Sequence, residues 1–356
     1  MTDQTTVRRD DAAAPGMSIP ASSAATLDAR SRRGPGRLLV LAGERNALLL
    51  LLVVVVIVFS VWSKTSATFP TGGNARLLIG GQSVVALMSI ALIFPLLVGE
   101  FDFSIGYLVS FIAMFNASAM SRFNLPFAVA AALSLLVAAL IGAVTGYAVA
   151  KLKLNSLIVT IATGTLMSGL VQWYSSGLSI SSGISQTLID FGSKTWLGIP
   201  RTAYLLVLVI AITWQVLERT PVGRYLRFIG SSRESAYLVG VDVERYVWST
   251  FIVSSVLGAV AALLLTGING AANPGDGPGL LFAAISAAFL GATTVRPGEF
   301  NILGTIVGVF FVGASVSGLN LAGVQPWVQP TFYGTSLAVA VALSTLLIRR
   351  RQNAAS

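Results

Sequence analysis

The sequence predicts an all-α fold, a polytopic membrane bundle of about ten transmembrane helices, and three observations carry that prediction. Hydrophobic residues make up 54% of the 356 positions and charged residues only 10%, against roughly 25% charged in an ordinary soluble domain. The apolar residues also fall in long blocks: Ala47–Ser60 is uninterrupted, and comparable blocks recur as far as Leu347. Finally, the blocks are rich in Leu, Ala, Val and Gly and lack period-two alternation. Helices, not barrel strands, therefore satisfy the backbone amides that hydrocarbon cannot.

The elements follow in order. Residues 1–45 are polar and rich in Ala, Ser, Gly and Pro, with Arg8, Arg9, Arg30, Arg32, Arg33 and Arg37. They lack the apolar stretch of a secretory signal and read as a disordered basic cytoplasmic tail. A spanning helix needs about 20 apolar residues. That length places helices at 46–63, 77–98, 103–120, 126–150, 156–174, 202–218, 247–269, 280–295, 301–321 and 330–348, with the sixth and eighth the shortest. Residues 46–348 thus form the membrane domain, and 349–356 a second basic cytoplasmic tail.

Ten spans put both termini on one side. Of the 23 Lys and Arg residues, 18 fall on that side and five (Lys64, Arg76, Arg122, Lys194 and Arg201) on the other. The positive-inside rule makes the 18-residue side cytoplasmic. The net charge of +9 thus reports membrane topology and not nucleic-acid binding.

Absences narrow the chemistry. There is no Cys and no His, which excludes disulfides, thiol nucleophiles, Cys/His zinc sites and histidine relays or triads. No G-x-x-x-x-G-K-[ST] or Gly-Lys pair occurs, so no phosphate-cradling loop is present. No catalytic residue, metal or cofactor is expected; any ATP used must be bound by another polypeptide.

Three constellations stand out. Gly99-Glu100-Phe101-Asp102-Phe103-Ser104-Ile105-Gly106 sets two carboxylates against hydrocarbon, where such residues often line solute or ion paths; the plainer role is helix capping by Asp102 or Ser104. The topology puts Glu100 and Asp102 near a membrane boundary. The loop 219–246 is the longest internal cytoplasmic one. Within it, Ser231 or Ser232 is placed to cap a short helix whose Ala236, Tyr237 and Val239 face a partner. Asn273 to Gly279 reads as a turn leading into the small-residue-rich Ala283–Gly291. Trp173, Tyr174 and Trp327 read as interfacial aromatics. Gly99-Glu100-Phe101 also recurs as Gly298-Glu299-Phe300, which fits two related halves.

Together these segments resemble the ribose/xylose-type (monosaccharide) ABC importer permeases, a group that also includes galactoside and autoinducer permeases. Gly99–Gly106 is similar to the family's G-G-I-D-L-S-V-G, with Glu100 in place of its second Gly. Asn155–Thr163 resembles P-F-I-V-T-L-G-T, and Thr220–Val241 resembles T-x-x-G-R…A-x-G-x-N-x-x-A-A-x-x-x-G-I. Ala284–Gly304 resembles A-I-A-A-x-x-x-G-G…G-G…G. Two departures are Leu281-Phe282-Ala283, where the family has Glu-Leu-Asp, and Ser317, where it has Asn.

The resemblance implies a permease homodimer in a bacterial inner membrane, a cytoplasmic ABC ATPase and an extracytoplasmic solute-binding protein. It implies a coupling segment at Arg233, Glu234, Ser235, Ala236, Tyr237 and Gly240. It places a substrate pathway near Glu100, Asp102, Ser104, Asn155, Thr160 and Thr163. The alternative is an ion-coupled secondary transporter using Glu100 and Asp102.

Overall fold

The structure is a computed structural model that describes residues 35–355. Its helices are α1 (Pro35–Val61), α2 (Gly72–Leu97), α3 (Ser104–Ser121), α4 (Phe127–Ala150), α5 (Ser156–Ser175), α6 (Gln186–Ser193) and α7 (Arg201–Trp214). After a π turn at Gln215–Arg219 come α8 (Pro221–Ser231), α9 (Arg233–Leu238), α10 (Val243–Asn269), α11 (Asp276–Gly291), α12 (Ile302–Leu321) and α13 (Val328–Ala355). Among the described residues, seven helices are long and apolar enough to cross a membrane. Three shorter apolar ones, Asn46–Val61, Asp276–Gly291 and Val328–Leu343, complete the ten expected blocks.

Several boundaries shift for local reasons. Residues 1–34 of the expected N-terminal tail lie outside the described residues. Helix α1 already starts at Pro35, because proline is favoured in a first turn and a Leu-rich run follows. Helix α13 continues to Ala355, since no Pro or Gly follows Leu347 to stop it. The Asn273–Gly279 cluster holds the start of α11: Asp276 Oδ2 accepts from Asn269 Nδ2 (2.9 Å) and Asn273 Nδ2 (2.8 Å). Helix α11 thereby begins four residues before its expected start. A short hairpin, β1 (Thr195–Trp196) and β2 (Ile199–Pro200), precedes α7. Its turn residues Leu197 and Gly198 both have positive φ, as a two-residue hairpin turn requires.

Helix α3 is the hub, packed by α4, α5, α10 and α11 and buried along most of its length. The tightest crossings use small residues, which let helix backbones approach in a bilayer. On α4, a Cβ at Gly142 would lie 2.6 Å from Phe251 O of α10. On α12, one at Gly308 would lie 2.3 Å from Ala287 O of α11. Helix α5 differs: it buries one line of residues (Ser156, Thr160, Gly164, Met167, Val171, Ser175) and leaves the rest exposed or half-buried.

Contacts sort the loops into two ends. At one end Lys151 pairs with Glu244 (2.6 Å), Glu100 with Arg233 (2.7 Å) and Arg296 with Glu218 (2.5 Å). At the other, Ile180 bridges Ala272 through the backbone, and Asp190 pairs with Lys194.

Replacing Gly308 with Leu forces α11 and α12 apart and costs about 1–3 kcal/mol or more. Gly81→Leu, where an added Cβ meets nothing within 4 Å, is the neutral control. Thermal unfolding of the two purified variants in detergent is expected to separate them clearly.

Candidate functional site

The end that carries the ion pairs is built around the loop between α2 and α3. Pro95 sits in the last turn of α2, and its carbonyl accepts from Glu100 N (2.9 Å). Gly99 then takes φ +81°, a left-handed conformation that glycine adopts without a Cβ penalty. The chain turns inward from there. The Phe101 amide donates to Ser156 Oγ (3.3 Å) and the Phe103 amide to Thr160 Oγ1 (3.2 Å), both on α5. Asp102 Oδ1 accepts from Ser104 N (3.1 Å) and Ser104 Oγ (2.5 Å), and its Oδ2 accepts from Ser254 Oγ of α10 (2.8 Å).

Both expected carboxylates are therefore engaged, but differently. Glu100 stays at the bundle end, its carboxylate on Arg233 Nη2. Asp102 is only 2% exposed and faces Ser254, eleven residues after Val243, or about 16 Å along α10 at 1.5 Å per residue. Glu100 thus sits on the bundle's end and Asp102 inside it, because the loop turns inward after Gly99. The N-cap of α3 is Phe103, which makes no side-chain cap bond; Asp102, one residue before it, accepts from the first amide of the helix. Among the other pathway candidates, Ser104 and Thr160 are buried beside it. Asn155 caps α5, its Oδ1 accepting from Leu157 N (3.0 Å) and Ile158 N (3.3 Å). Thr163 is half-buried further along α5, its hydroxyl on Val159 O. The structure thus gathers Asp102, Ser104 and Thr160, and leaves Asn155 and Thr163 apart from them on α5.

The sequence echo has a structural counterpart. Gly298 takes φ +83°, matching Gly99, and Asn301 occupies the place of Asp102. Asn301 is 4% exposed; its Oδ1 accepts from Gly304 N (2.7 Å), and its Nδ2 donates to the carbonyls of Gly291, Thr294 and Glu299. The two loops meet on Phe289: Phe101 stacks on it at 6.3 Å and 12°, and Phe300 meets it edge-on at 5.2 Å and 87°. A cavity of about 160 Å³ separates them.

The segment from the π turn to α9 lies across this end. Glu218 accepts from both Arg227 and Arg296 at 2.5 Å. A Cβ on Gly230 would lie 2.1 Å from Leu97 O, so α8 rests directly on the end of α2. Ser232 Oγ accepts from Ser235 N (3.3 Å) and caps α9. Of the residues expected to face outward, Ala236 is fully buried; it faces the same way as the helix's seat on the bundle. Tyr237 (47% exposed), Leu238 (88%) and Val239 (67%) do face outward, and Gly240 at φ +80° turns the chain away. Glu234 and Ser235 are exposed. Beside α9 lies a cavity of about 210 Å³ lined by Glu100, Lys153, Arg233, Tyr237 and Glu244, among others. Next to it Glu244 accepts a hydrogen bond from Lys151 and holds that ammonium above the usual lysine range.

Sequence reasoning missed Ser254, Glu218 and Arg296. Ser254 belongs to a Ser-Ser pair inside an apolar run, a weak signal of a polar contact. Glu218 had none beyond ending an apolar block.

Comparison with known proteins assigns this architecture. The family model described as "Branched-chain amino acid transport system / permease component" matches residues 77–344. The chain belongs to that permease family. It is a multi-pass membrane protein of the transport-permease type. The ribose import permease protein RbsC of Escherichia coli K12 is 30% identical over 302 residues, covering 83% of this chain and 91% of the relative. RbsC of Haemophilus influenzae is 29% identical over 287 residues (80% and 88%). The D-allose transport system permease protein AlsC of Escherichia coli K12 is 29% identical over 279 residues (78% and 85%). No solved structure matches the chain.

Within this permease the Asp102 carboxylate holds three donors away from water. Asp102→Ala is expected to lower stability in detergent by about 2 kcal/mol and Ser254→Ala by about 1 kcal/mol, while Thr163→Ala is near neutral. Thermal or denaturant unfolding ranks the three.

Proposed function

We propose that this chain is the membrane-spanning subunit of an ATP-binding cassette importer for a small polar solute, with a monosaccharide as the substrate class. The observation that carries the reading is α9. It is a short capped helix, seated through Ala236 and Arg233, that leaves Tyr237, Leu238 and Val239 uncovered at the charged end of the bundle. Uncovered aromatic and aliphatic side chains on a firmly seated helix are what a docking partner needs. The partner is a cytoplasmic ATPase that binds ATP, so this chain performs no covalent chemistry and holds no cofactor.

The named relatives are permeases of ribose import and D-allose transport, which supports a monosaccharide. Choice among sugars is assigned to an extracytoplasmic solute-binding protein. Arg-rich loops on the α9 side support a cytoplasmic position for that end and for both termini.

A second copy of the chain completes the path. Helix α5 exposes Ala162, Thr165, Gly169 and Gln172, a helix-spaced line of small and polar residues that is ill suited to lipid and well suited to a neighbouring helix or a wet path. Asn155 and Thr163 lie on this helix and are the pathway candidates available to solute. Asp102, Ser104 and Thr160 instead hold the frame beside the path. An ion-coupled transporter needs a carboxylate with free valences; Asp102 already accepts from Ser104 and Ser254, and Glu100 is paired with Arg233.

Proteoliposomes holding this chain alone are expected not to accumulate solute, while addition of the ATPase and binding protein confers ATP-dependent uptake. Uptake by the lone chain on an ion gradient contradicts the reading. Tyr237→Ala or Glu234→Ala is expected to lower uptake about tenfold or more with normal membrane insertion; unchanged transport removes α9 from the docking site.

A further inference from the structure

We infer that the Glu100–Arg233 pair is the link through which movement of α9 reaches the bundle interior. The inference rests on the permease reading and adds a positioning role for a specific pair. Arg233 is the first residue of α9, and its Nη2 reaches Glu100 Oε1 at 2.7 Å and Val98 O at 3.4 Å. The Glu100 side chain is only 13% exposed, so it does not swing freely in water. One residue on, the Phe101 amide is bonded to Ser156; two residues on, Asp102 is bonded to Ser104 and Ser254. A displacement of Arg233 therefore acts on the six-residue loop 98–103, whose hydrogen bonds end on α3, α5 and α10.

Other contacts of the coupling segment lead elsewhere. Gly230 abuts Leu97 O at the end of α2. Glu218 ties the π turn to Arg227 and to the Arg296 loop, but it lies fifteen residues before Arg233 and outside α9. Among the described residues, the polar connection from α9 to the Gly99–Ser104 loop runs through Arg233. The Arg233 side chain is 46% exposed, so solvent screens the pair and limits its share of stability; the pair is suited to direct a movement without dominating the fold. Opposite charges at 2.7 Å also follow one another in both pushing and pulling.

The test uses the complete importer in proteoliposomes and reads solute taken up per ATP hydrolysed. It also reads the stimulation of hydrolysis by loaded binding protein. Glu100→Gln and Arg233→Gln are each expected to lower uptake per ATP about fivefold, with unchanged insertion and unfolding temperature. The exchange Glu100→Arg with Arg233→Glu is expected to recover most of the loss. Lys153→Gln, which removes a neighbouring cation from the same cavity, is expected to leave the ratio unchanged. Indifferent single variants, a charge exchange that recovers nothing, or an equal loss in Lys153→Gln overturns the inference. Absence of ATP-dependent uptake by the unaltered complex instead overturns the permease reading itself, so the two failures are distinguishable.

Discussion

A bilayer offers no water to a peptide group, so a helix that ends inside a membrane bundle must find partners for its amides within the protein. The turn between α2 and α3 ends two helices together, and side chains meet that demand. Ser156 and Thr160 accept from the Phe101 and Phe103 amides, and Asp102 accepts from the first turn of α3. Those bonds fix where the hub helix starts and which helices surround its N-terminus. Because the acceptors belong to α5 and the second donor to Asp102 belongs to α10, one short loop sets the relative positions of three spans.

The same solution is used twice with different chemistry. Asp102 and Asn301 are both buried, both follow Gly-Glu-Phe after a left-handed glycine, and both accept a backbone amide from the first turn of the next helix. A carboxylate suits the first loop, where three donors converge on it. An amide suits the second, where carbonyls of Gly291, Thr294 and Glu299 need a donor. Phe289 closes the two loops onto each other, so a segment lying across this end touches both halves of the bundle. That segment is the one bearing α8 and α9; under the proposed function, it gives a partner docked on surface side chains a route to buried helices.

Most of the fold was legible because long apolar blocks have few alternatives in a chain this poor in charge. The ten blocks each became a helix, and the short capped helix expected in the long loop became α9, with α8 before it. Where boundaries moved, caps decided them: Thr71 starts α2 five residues early and Asp242 starts α10 four residues early, and neither is visible from apolar periodicity. The site was only half legible. Glu100 and Asp102 stood out as charges against hydrocarbon, and Arg233 through the resemblance, but their partners did not. Ser254 lies 152 residues from Asp102 within an apolar run, and long-range contacts of this kind leave no local pattern. The inward face of Ala236 was also hidden, since a six-residue helix is too short for its faces to be read from spacing.

The central claim is that α9 is exposed on the cytoplasmic face and is covered there by an ATPase. The chain contains no Cys, so a single cysteine reports its own position. Leu238 and Leu197 are 88% and 82% exposed at opposite ends of the bundle. With a membrane-impermeant maleimide, Leu238→Cys is predicted to label only after the cells are opened, and to be protected when the ATPase is bound. Leu197→Cys is predicted to label in intact cells and to stay unprotected. Labelling of Leu238→Cys from outside intact cells, or labelling that the ATPase leaves unchanged, would contradict the account.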